Sequence, residues 1–445
     1  MVKDLTVGKP NKVLLQFSIP MFVSVIFQQM YSIADSIIAG KFAGTDALAA
    51  VGVSYPITMI FMAIAIGSNI GCAVVISQLF GGKKYRDMKT AISTTIIAAS
   101  VLSIILTIFG LAYSKKLMIM IKTPDTIFHD GVLYFKIYIA GFIFLFLYNV
   151  ATGIFNSLGD SKMPLYFLIG SSIGNIVLDC VFVIVFRMGV AGVAWATFIA
   201  QGIASILALI TLKSRLATIP CEKAPFFSFQ MLKKISMIAI PSILQQSFVS
   251  IGNIFIQKLI NNSGSDVIAG YSAAIKLNTF TITSFTTLGN GLSSFTAQNI
   301  GAEKWERVSK GFRAGAKMAI SVAVPFFVLY FFAGTFCINL FLSENSILAL
   351  KTGVQFLRIV SPFYFVICIK LMADGVLRGS SCMRSFMIST FADLLLRVVF
   401  AYILHHTFGT LGIWLSWPVG WTIAMLLSYG FYNSGIWKKK NRSLV

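Results

Sequence analysis

The sequence predicts an all-α polytopic membrane protein, with twelve transmembrane helices in two pseudo-symmetric six-helix lobes. Three observations predict it. Of 445 residues, 57% are hydrophobic and 11% charged; soluble domains carry roughly 25% charged residues, so this chain lacks the polar surface to cover itself in water. Apolar runs recur at close to the ~20 residues that cross a bilayer. The chain is also written twice. Gln78-Leu-Phe-Gly81 returns as Gln298-Asn-Ile-Gly301, Gly153-Ile-Phe as Gly375-Val-Leu, and Gly189-Val-Ala-Gly192 as Gly409-Thr-Leu-Gly412, at an offset near 220 residues. Repeated halves in so apolar a chain are the pattern of a secondary transporter, whose substrate path lies between related bundles. A membrane β-barrel would need short alternating segments, which are missing.

Glycine, proline and charge punctuation places the spans. The first, 13–39, follows Lys3, Lys9 and Lys12 and contains Pro20. It runs far past a signal-peptide core and ends on no small-residue cleavage site, so it is expected to remain as a helix. The second, 47–79, stops at the Gln78-x-x-Gly81 turn, and the third, 90–112, starts beyond the basic stretch after it. The fourth, 131–157, contains Gly153; the fifth, 164–186, holds Asn175 and Asp179; the sixth, 190–212, opens on Gly189-x-x-Gly192. After a link with Pro220 and Pro225, the plan repeats at 233–260, 266–298, 314–335, 351–377, 385–405 and 410–434. The implied division is an N-terminal lobe at 1–212, a cytoplasmic linker at 213–232 and a C-terminal lobe at 233–445.

Lys and Arg set the orientation. With the N-terminus inside, 24 of the 36 fall in cytoplasmic segments and nine on the opposite side, while Lys276, Lys370 and Arg397 lie within spans. The stretches 213–234 and 299–317 carry five each, and the tail Lys438-Lys-Lys-x-Arg442 continues the bias. Both termini are therefore expected in the cytoplasm, as an even span number requires. The net charge of +21 is mainly this topology signal. Nucleic acid is not an expected partner, because no basic groove with interleaved aromatics is present. The six cysteines form no CxxC pair and read as small core residues. His405 and His406, near an outer end, read as surface histidines.

An ionisable side chain at bilayer depth costs at least ~2.5–3.5 kcal/mol on insertion scales. Asp35, in the first span within Gln28-Gln29-Met-Tyr31-Ser-Ile-Ala-Asp35, and Asp179, in the fifth, carry that cost. Asn175 and Asp179 are i and i+4, on one helical face. Thr197 lies in the sixth span. Counted from the span ends at ~1.5 Å per residue, Asp35, Asp179 and Thr197 all fall roughly 7–11 Å below the outer surface. Two carboxylates, an amide and a hydroxyl at one depth suit a small hard cation, Na+, or a shared proton. The alternative is that the acids only lock the bundle by hydrogen-bonding Asn175 and Tyr31. Pro20, fifteen residues before Asp35, removes a backbone hydrogen bond and offers a hinge; Pro241 has a similar place in span seven.

The second half does not copy the acid cluster. The repeat sets Asp393 opposite Asn175 and Arg397 opposite Asp179. The i,i+4 pairs Asp393/Arg397 and Lys370/Asp374 read first as self-neutralising structure, with substrate binding or gating as the alternative.

Taken together these residues resemble the multidrug and toxic compound extrusion (MATE) family of the multidrug/oligosaccharidyl-lipid/polysaccharide exporter superfamily. The resemblance spans the chain: Asp4-Leu-Thr-x-Gly8, Ile19-Pro20, Gln28-Gln29-x-Tyr31-x-x-x-Asp35-x-x-x-x-Gly40, the two Gln-x-x-Gly turns, Gly153 and Gly375-x-x-Arg378-Gly379, Asn175-x-x-x-Asp179 and the twin Gly-x-x-Gly turns. It implies two six-helix lobes around a cavity that alternates between outward and inward access. It also implies export of cationic or amphipathic compounds in exchange for H+ or Na+, with no other cofactor. Asp35, Asn175, Asp179 and Thr197 match the family's N-lobe coupling cluster, with Gln28, Tyr31 and Pro20 as supporting or gating residues. Some members carry a further acid early in span ten; Phe363 to Ile369 holds none here, so coupling is placed in the N-lobe. The expected setting is a bacterial cytoplasmic membrane, with a monomer embedded in the bilayer.

Two rival functions remain at this point. A lipid-linked oligosaccharide flippase of the same superfamily would favour a basic cavity, for which Lys276, Lys370 and Arg397 are candidates. An integral-membrane enzyme would need a nucleophile–base pair, a metal triad or a phosphate loop, and no such spacing appears.

Overall fold

The computed structural model describes residues 3–43, 45–261, 263–342 and 346–438; the tail beyond Lys438 lies outside them. The helices run α1 (Pro10–Ile38), α2 (Thr45–Gly81), α3 (Tyr85–Met120), α4 (Asp125–Ala140), α5 (Phe142–Ser157), α6 (Lys162–Asp179), α7 (Gly189–Ala217), α8 (Phe229–Asn261), α9 (Ser265–Gly301) and α10 (Trp305–Phe332). They continue as the short α11 (Gly334–Asn339), then α12 (Ile347–Val360), α13 (Tyr364–Gly379), α14 (Met383–Phe408) and α15 (Thr410–Asn433). No strand occurs among the described residues.

Among the described residues ten helical stretches are long and apolar enough to cross a membrane, and the pair α4–α5, bent by 46° at Gly141, makes an eleventh. The remaining expected span is α9. It is 37 residues long but too polar to pass as a membrane helix by composition. Its buried Asn278, Thr281 and Ser284 are satisfied inside the protein. The Tyr364 hydroxyl donates to Asn278 Oδ1 at 3.1 Å, while Thr281 and Ser284 donate back to carbonyls one turn earlier. A helix packed on α10, α12 and α13 gains little from an apolar surface of its own, because protein rather than lipid surrounds it.

Packing divides the chain into two compact units. The first comprises Met1–Asp4 and Ile19–Ser247, the second Leu5–Ser18 and Phe248–Val445. Packing thus assigns the linker after α7 and the opening of α8 to the first unit. Lys89 Nζ donates to the Ile219 carbonyl at 2.7 Å, and the Ser228 amide donates to Thr94 Oγ1 at 3.0 Å. In the first unit α2 packs on α3, α4 and α5, and α6 on α7; in the second α9 packs on α10, α12 and α13, and α14 on α15.

The sequence repeats prove to be repeats of geometry. In the first Gln-x-x-Gly turn the amides of Gly82, Lys83 and Lys84 donate to the carbonyls of Gln78, Phe80 and Leu79 at 3.0, 3.0 and 2.9 Å. In the second, Ala302, Glu303 and Lys304 donate to Gln298, Ile300 and Asn299 at 3.0, 2.9 and 2.8 Å. The chain reverses through a positive φ in both, 56° at Lys83 and 59° at Glu303. Gly153 and Gly375 are likewise equivalent. A side chain on Gly153 would collide with Asn69 of α2, and one on Gly375 would meet the Gly289 carbonyl of α9 at 2.6 Å. Because backbone cannot retreat as a side chain can, Gly375→Ala is expected to destabilise the second unit by about 1–3 kcal/mol. Thermal unfolding of the detergent-purified variant checks this.

The opening Asp4-Leu-Thr-x-Gly8 motif is also explained. Its backbone is fastened to the second Gln-x-x-Gly turn: the Leu5 amide donates to Gln298 Oε1 at 2.8 Å, and Arg307 donates to the carbonyls of Gly8 at 2.7 Å and Leu5 at 3.2 Å. Lys304 Nζ adds a bond to the Thr6 carbonyl at 3.0 Å. Charge-assisted bonds of this kind contribute about 1.5–3 kcal/mol each. Arg307→Ala is expected to speed amide exchange at Leu5 and Thr6 by about tenfold or more, read by hydrogen-exchange mass spectrometry.

Candidate functional site

Three helices of the first unit each carry a polar face. On α1, Gln28, Tyr31 and Asp35 are spaced i, i+3, i+7; on α6, Ser172, Asn175 and Asp179 have the same spacing; on α7, Thr197 and Gln201 are i, i+4. The carboxyl groups of Asp35 and Asp179 lie within hydrogen-bonding reach of one another. Asp179 is 0% exposed and Asn175 2%. With its nitrogen toward the carboxylate, the Asn175 amide donates to Asp179 Oδ2 at 2.8 Å and accepts from the Thr197 amide at 3.0 Å. The Tyr31 hydroxyl lies beside the Thr197 side chain. The four predicted residues are therefore brought together, with Tyr31 beside them.

No Lys or Arg forms an ion pair with either acid among the described residues. One oxygen of each, Asp35 Oδ1 and Asp179 Oδ1, is buried and without a hydrogen-bond partner. A buried charge without a partner is costly, so the buried Asp179 beside the half-buried Asp35 favours a proton or a cation between them. The carboxylate oxygens, with the Thr197 hydroxyl nearby, fit either H+ or a hard cation such as Na+.

The surroundings differ on the two sides of the acids. Ile38 and Val183, one turn beyond Asp35 and Asp179, join Ala47, Ala50, Ile137, Val190 and Val193 in an apolar cluster. Toward the start of α1 and α6 lies a cavity of about 50 Å³ lined by Gln28, Tyr31, Ser171, Ser172, Asn175, Thr197 and Gln201. Such a volume accommodates a water molecule or a small ion. Each acid is followed by a stretch of π-helix, Ala39–Ala43 and Cys180–Val185, and the two stretches touch. Interruptions of this kind concentrate at functional sites.

Sequence reasoning missed Ser171, Ser172 and Gln201, and also Tyr134 and Tyr138 of α4, whose rings stack with centroids 6.2 Å apart. Tyr134 lies within electrostatic range of Asp35, Asp179 and Tyr31. The i,i+4 spacing of the two tyrosines was the available signal. Pro20 is not part of the cluster. α1 continues through it as one helix, and Ser24 Oγ donates to its carbonyl at 2.9 Å. The boundary between the two packing units nevertheless falls between Ser18 and Ile19, immediately before Pro20.

The C-lobe charges form a different kind of group. Lys370 Nζ contacts Asp374 Oδ2 at 2.8 Å and Asp393 Oδ2 at 4.0 Å, and Ser428 donates to Asp374 Oδ1 at 2.6 Å. The Asp393/Arg397 pair expected from spacing does not form. Arg397 instead stacks its guanidinium on Trp417, 4.4 Å from the ring centroid. The ring lies in the guanidinium's reach across the α14–α15 contact, and Lys370 serves Asp393.

Fold and site together define a two-lobed helical membrane protein with an acidic, oxygen-lined cluster confined to its first lobe. The chain belongs to the MatE family: the family profile matches it twice, over residues 20–181 and 241–403. It is 29% identical to the probable multidrug resistance protein YpnP of Bacillus subtilis, over 98% of this chain and 97% of that protein. It is 24% identical to the multidrug export protein MepA of Staphylococcus haemolyticus, over 95% and 94%. A solved outward-facing multidrug resistance MATE transporter superposes with a TM-score of 0.91 at 24% identity, covering 98% of both chains.

Proposed function

We propose that the chain is a secondary active exporter of cationic or amphipathic compounds, driven by H+ entry through the Asp35–Asp179 cluster, with its two lobes alternating access across the membrane. The observation that carries this reading is the buried Asp179 and the half-buried Asp35 in mutual reach, each with one inaccessible oxygen and neither with a cationic partner among the described residues. Two adjacent buried carboxylates titrate as a coupled pair. Protonation neutralises the cluster and permits its burial, and release restores a charge that favours a more solvated arrangement. Each charge moved across the membrane is worth ~2.3 kcal/mol per 100 mV, which drives export against a gradient. The partnerless oxygens of the two acids support Na+ as the second reading for the coupling ion.

The similarity to proteins named for multidrug resistance and export supports the substrate class. The lipid-linked oligosaccharide flippase gains no comparable support from them. In the proposed setting the protein is a multi-pass monomer of a bacterial cytoplasmic membrane, with both termini cytoplasmic. The test is ethidium efflux from cells expressing the protein, with a pH gradient and a Na+ gradient imposed separately. Efflux under the pH gradient supports H+ coupling, and efflux under Na+ alone replaces the proton with the metal ion. No efflux under either, with protein present in the membrane, overturns the exporter reading.

A further inference from the structure

We propose that the second unit binds the phosphate group of an anionic phospholipid in a pocket between the start of α1 and one face of α10. The cavity measures about 420 Å³ and is lined by Lys9, Lys12, Lys310, Arg313 and Lys317, with Pro10, Asn11 and Ala314 between them. Positions 310, 313, 314 and 317 recur at i, i+3, i+4 and i+7 and so share one side of α10. The neighbouring cations Lys304 and Arg307 are occupied by backbone carbonyls. The five that line the pocket have no carboxylate within ion-pair distance among the described residues. Five cations around one concavity repel one another unless an anion lies between them. Arg supplies a planar fork for phosphate oxygens and Lys a compact charge, and both are used for phosphate recognition.

The pocket continues into an apolar stripe. On the same side of α10, beyond Lys317, stand Ile320, Val324 and Val328, which are 38, 44 and 47% exposed. On α1, three residues after Lys12, Leu15 is 47% exposed. Cations at the helix end with uncovered aliphatic side chains beneath them match a headgroup with acyl chains below. The Lys/Arg asymmetry assigns these helix ends to the cytoplasmic face, the leaflet in which anionic headgroups attract basic residues. A free phosphate ion would use the same cations but gain nothing from the stripe.

The test is native mass spectrometry of the purified full-length protein titrated with phosphatidylglycerol, phosphatidylcholine or inorganic phosphate. Wild type is expected to retain phosphatidylglycerol in preference to phosphatidylcholine. Lys310→Ala/Arg313→Ala/Lys317→Ala should weaken retention roughly a hundredfold, given the usual contribution of each basic residue near an anionic surface. Lys115→Ala/Lys116→Ala, which removes two exposed lysines of α3, should leave it unchanged. The milder Lys12→Ala/Arg313→Ala provides the same comparison if the triple variant loses its helical signal. Undiminished retention in the pocket variants overturns the proposal, as does equal retention of phosphatidylcholine. Displacement of phosphatidylglycerol by an equal concentration of inorganic phosphate would assign the site to a soluble anion and overturn the lipid assignment.

Discussion

Asp35→Asn is expected to reduce gradient-driven efflux to the level of cells lacking the protein, without reducing the amount of protein in the membrane. Asn preserves the shape and the hydrogen-bonding reach toward Asp179 but cannot gain or lose a proton, and it removes one negative charge from a site that has no cation to balance it. The folded state therefore loses no ion pair, and stability should hold or rise. Asp179→Asn should give the same phenotype, and the double variant no more than either alone, because the acids act as one coupled unit. Asp125→Asn, at an exposed acid opening α4, should transport normally. Full efflux in the Asp35→Asn protein would return this acid to a structural role and remove the coupling assignment with it.

Lys370→Ala is expected to produce the opposite pattern: a loss of stability of about 3–5 kcal/mol, the usual effect of stripping one partner from a buried ion pair. Lys370 is the cation shared by Asp374 and Asp393, and all three side chains are nearly or wholly inaccessible. Its removal takes the ammonium from Asp393 and from Asp374, which keeps Ser389 and Ser428 as hydrogen-bond partners and Arg378 within electrostatic range. Adding Asp374→Asn to Lys370→Ala should recover part of the loss, because one of the stranded charges disappears. Thermal unfolding of the single and double variants decides the matter. An unchanged midpoint in Lys370→Ala would mean that the trio is not structural, and the substrate-contacting reading of these residues would then take precedence.

How much was legible in the sequence follows from what each residue type costs in a bilayer. Asp35 and Asp179 stood out because an unpaired acid in an apolar run has no cheap explanation, and their spacing from the span ends set them at one depth. Ser171, Ser172 and Gln201 carry a smaller cost and can satisfy themselves locally, so nothing marked them before the helices were packed. The α9 span was legible from its punctuation although its composition is polar for a membrane helix; its Asn278 is satisfied by Tyr364, and its Thr281 and Ser284 by its own backbone. The break at Gly141, with Phe198 packed where a side chain would stand, left no sign beyond a single glycine. The Arg397 assignment failed because i,i+4 spacing names neighbours on one helix, whereas Trp417 of α15 offers the guanidinium a face from another.

The reciprocal allotment of α1 and α8 bears on the genetics of the chain. A cut in the connection after α7 would produce two polypeptides of similar size, yet neither would contain a complete packing unit. The upstream piece would carry residues 5–18, which pack with the downstream half, and would lack 229–247, which pack with its own. Halves expressed from separate genes would each lack a segment that belongs to its own packing unit. Exchange of halves between relatives should therefore succeed only where the crossover points respect Ser18 and Ser247 rather than the linker.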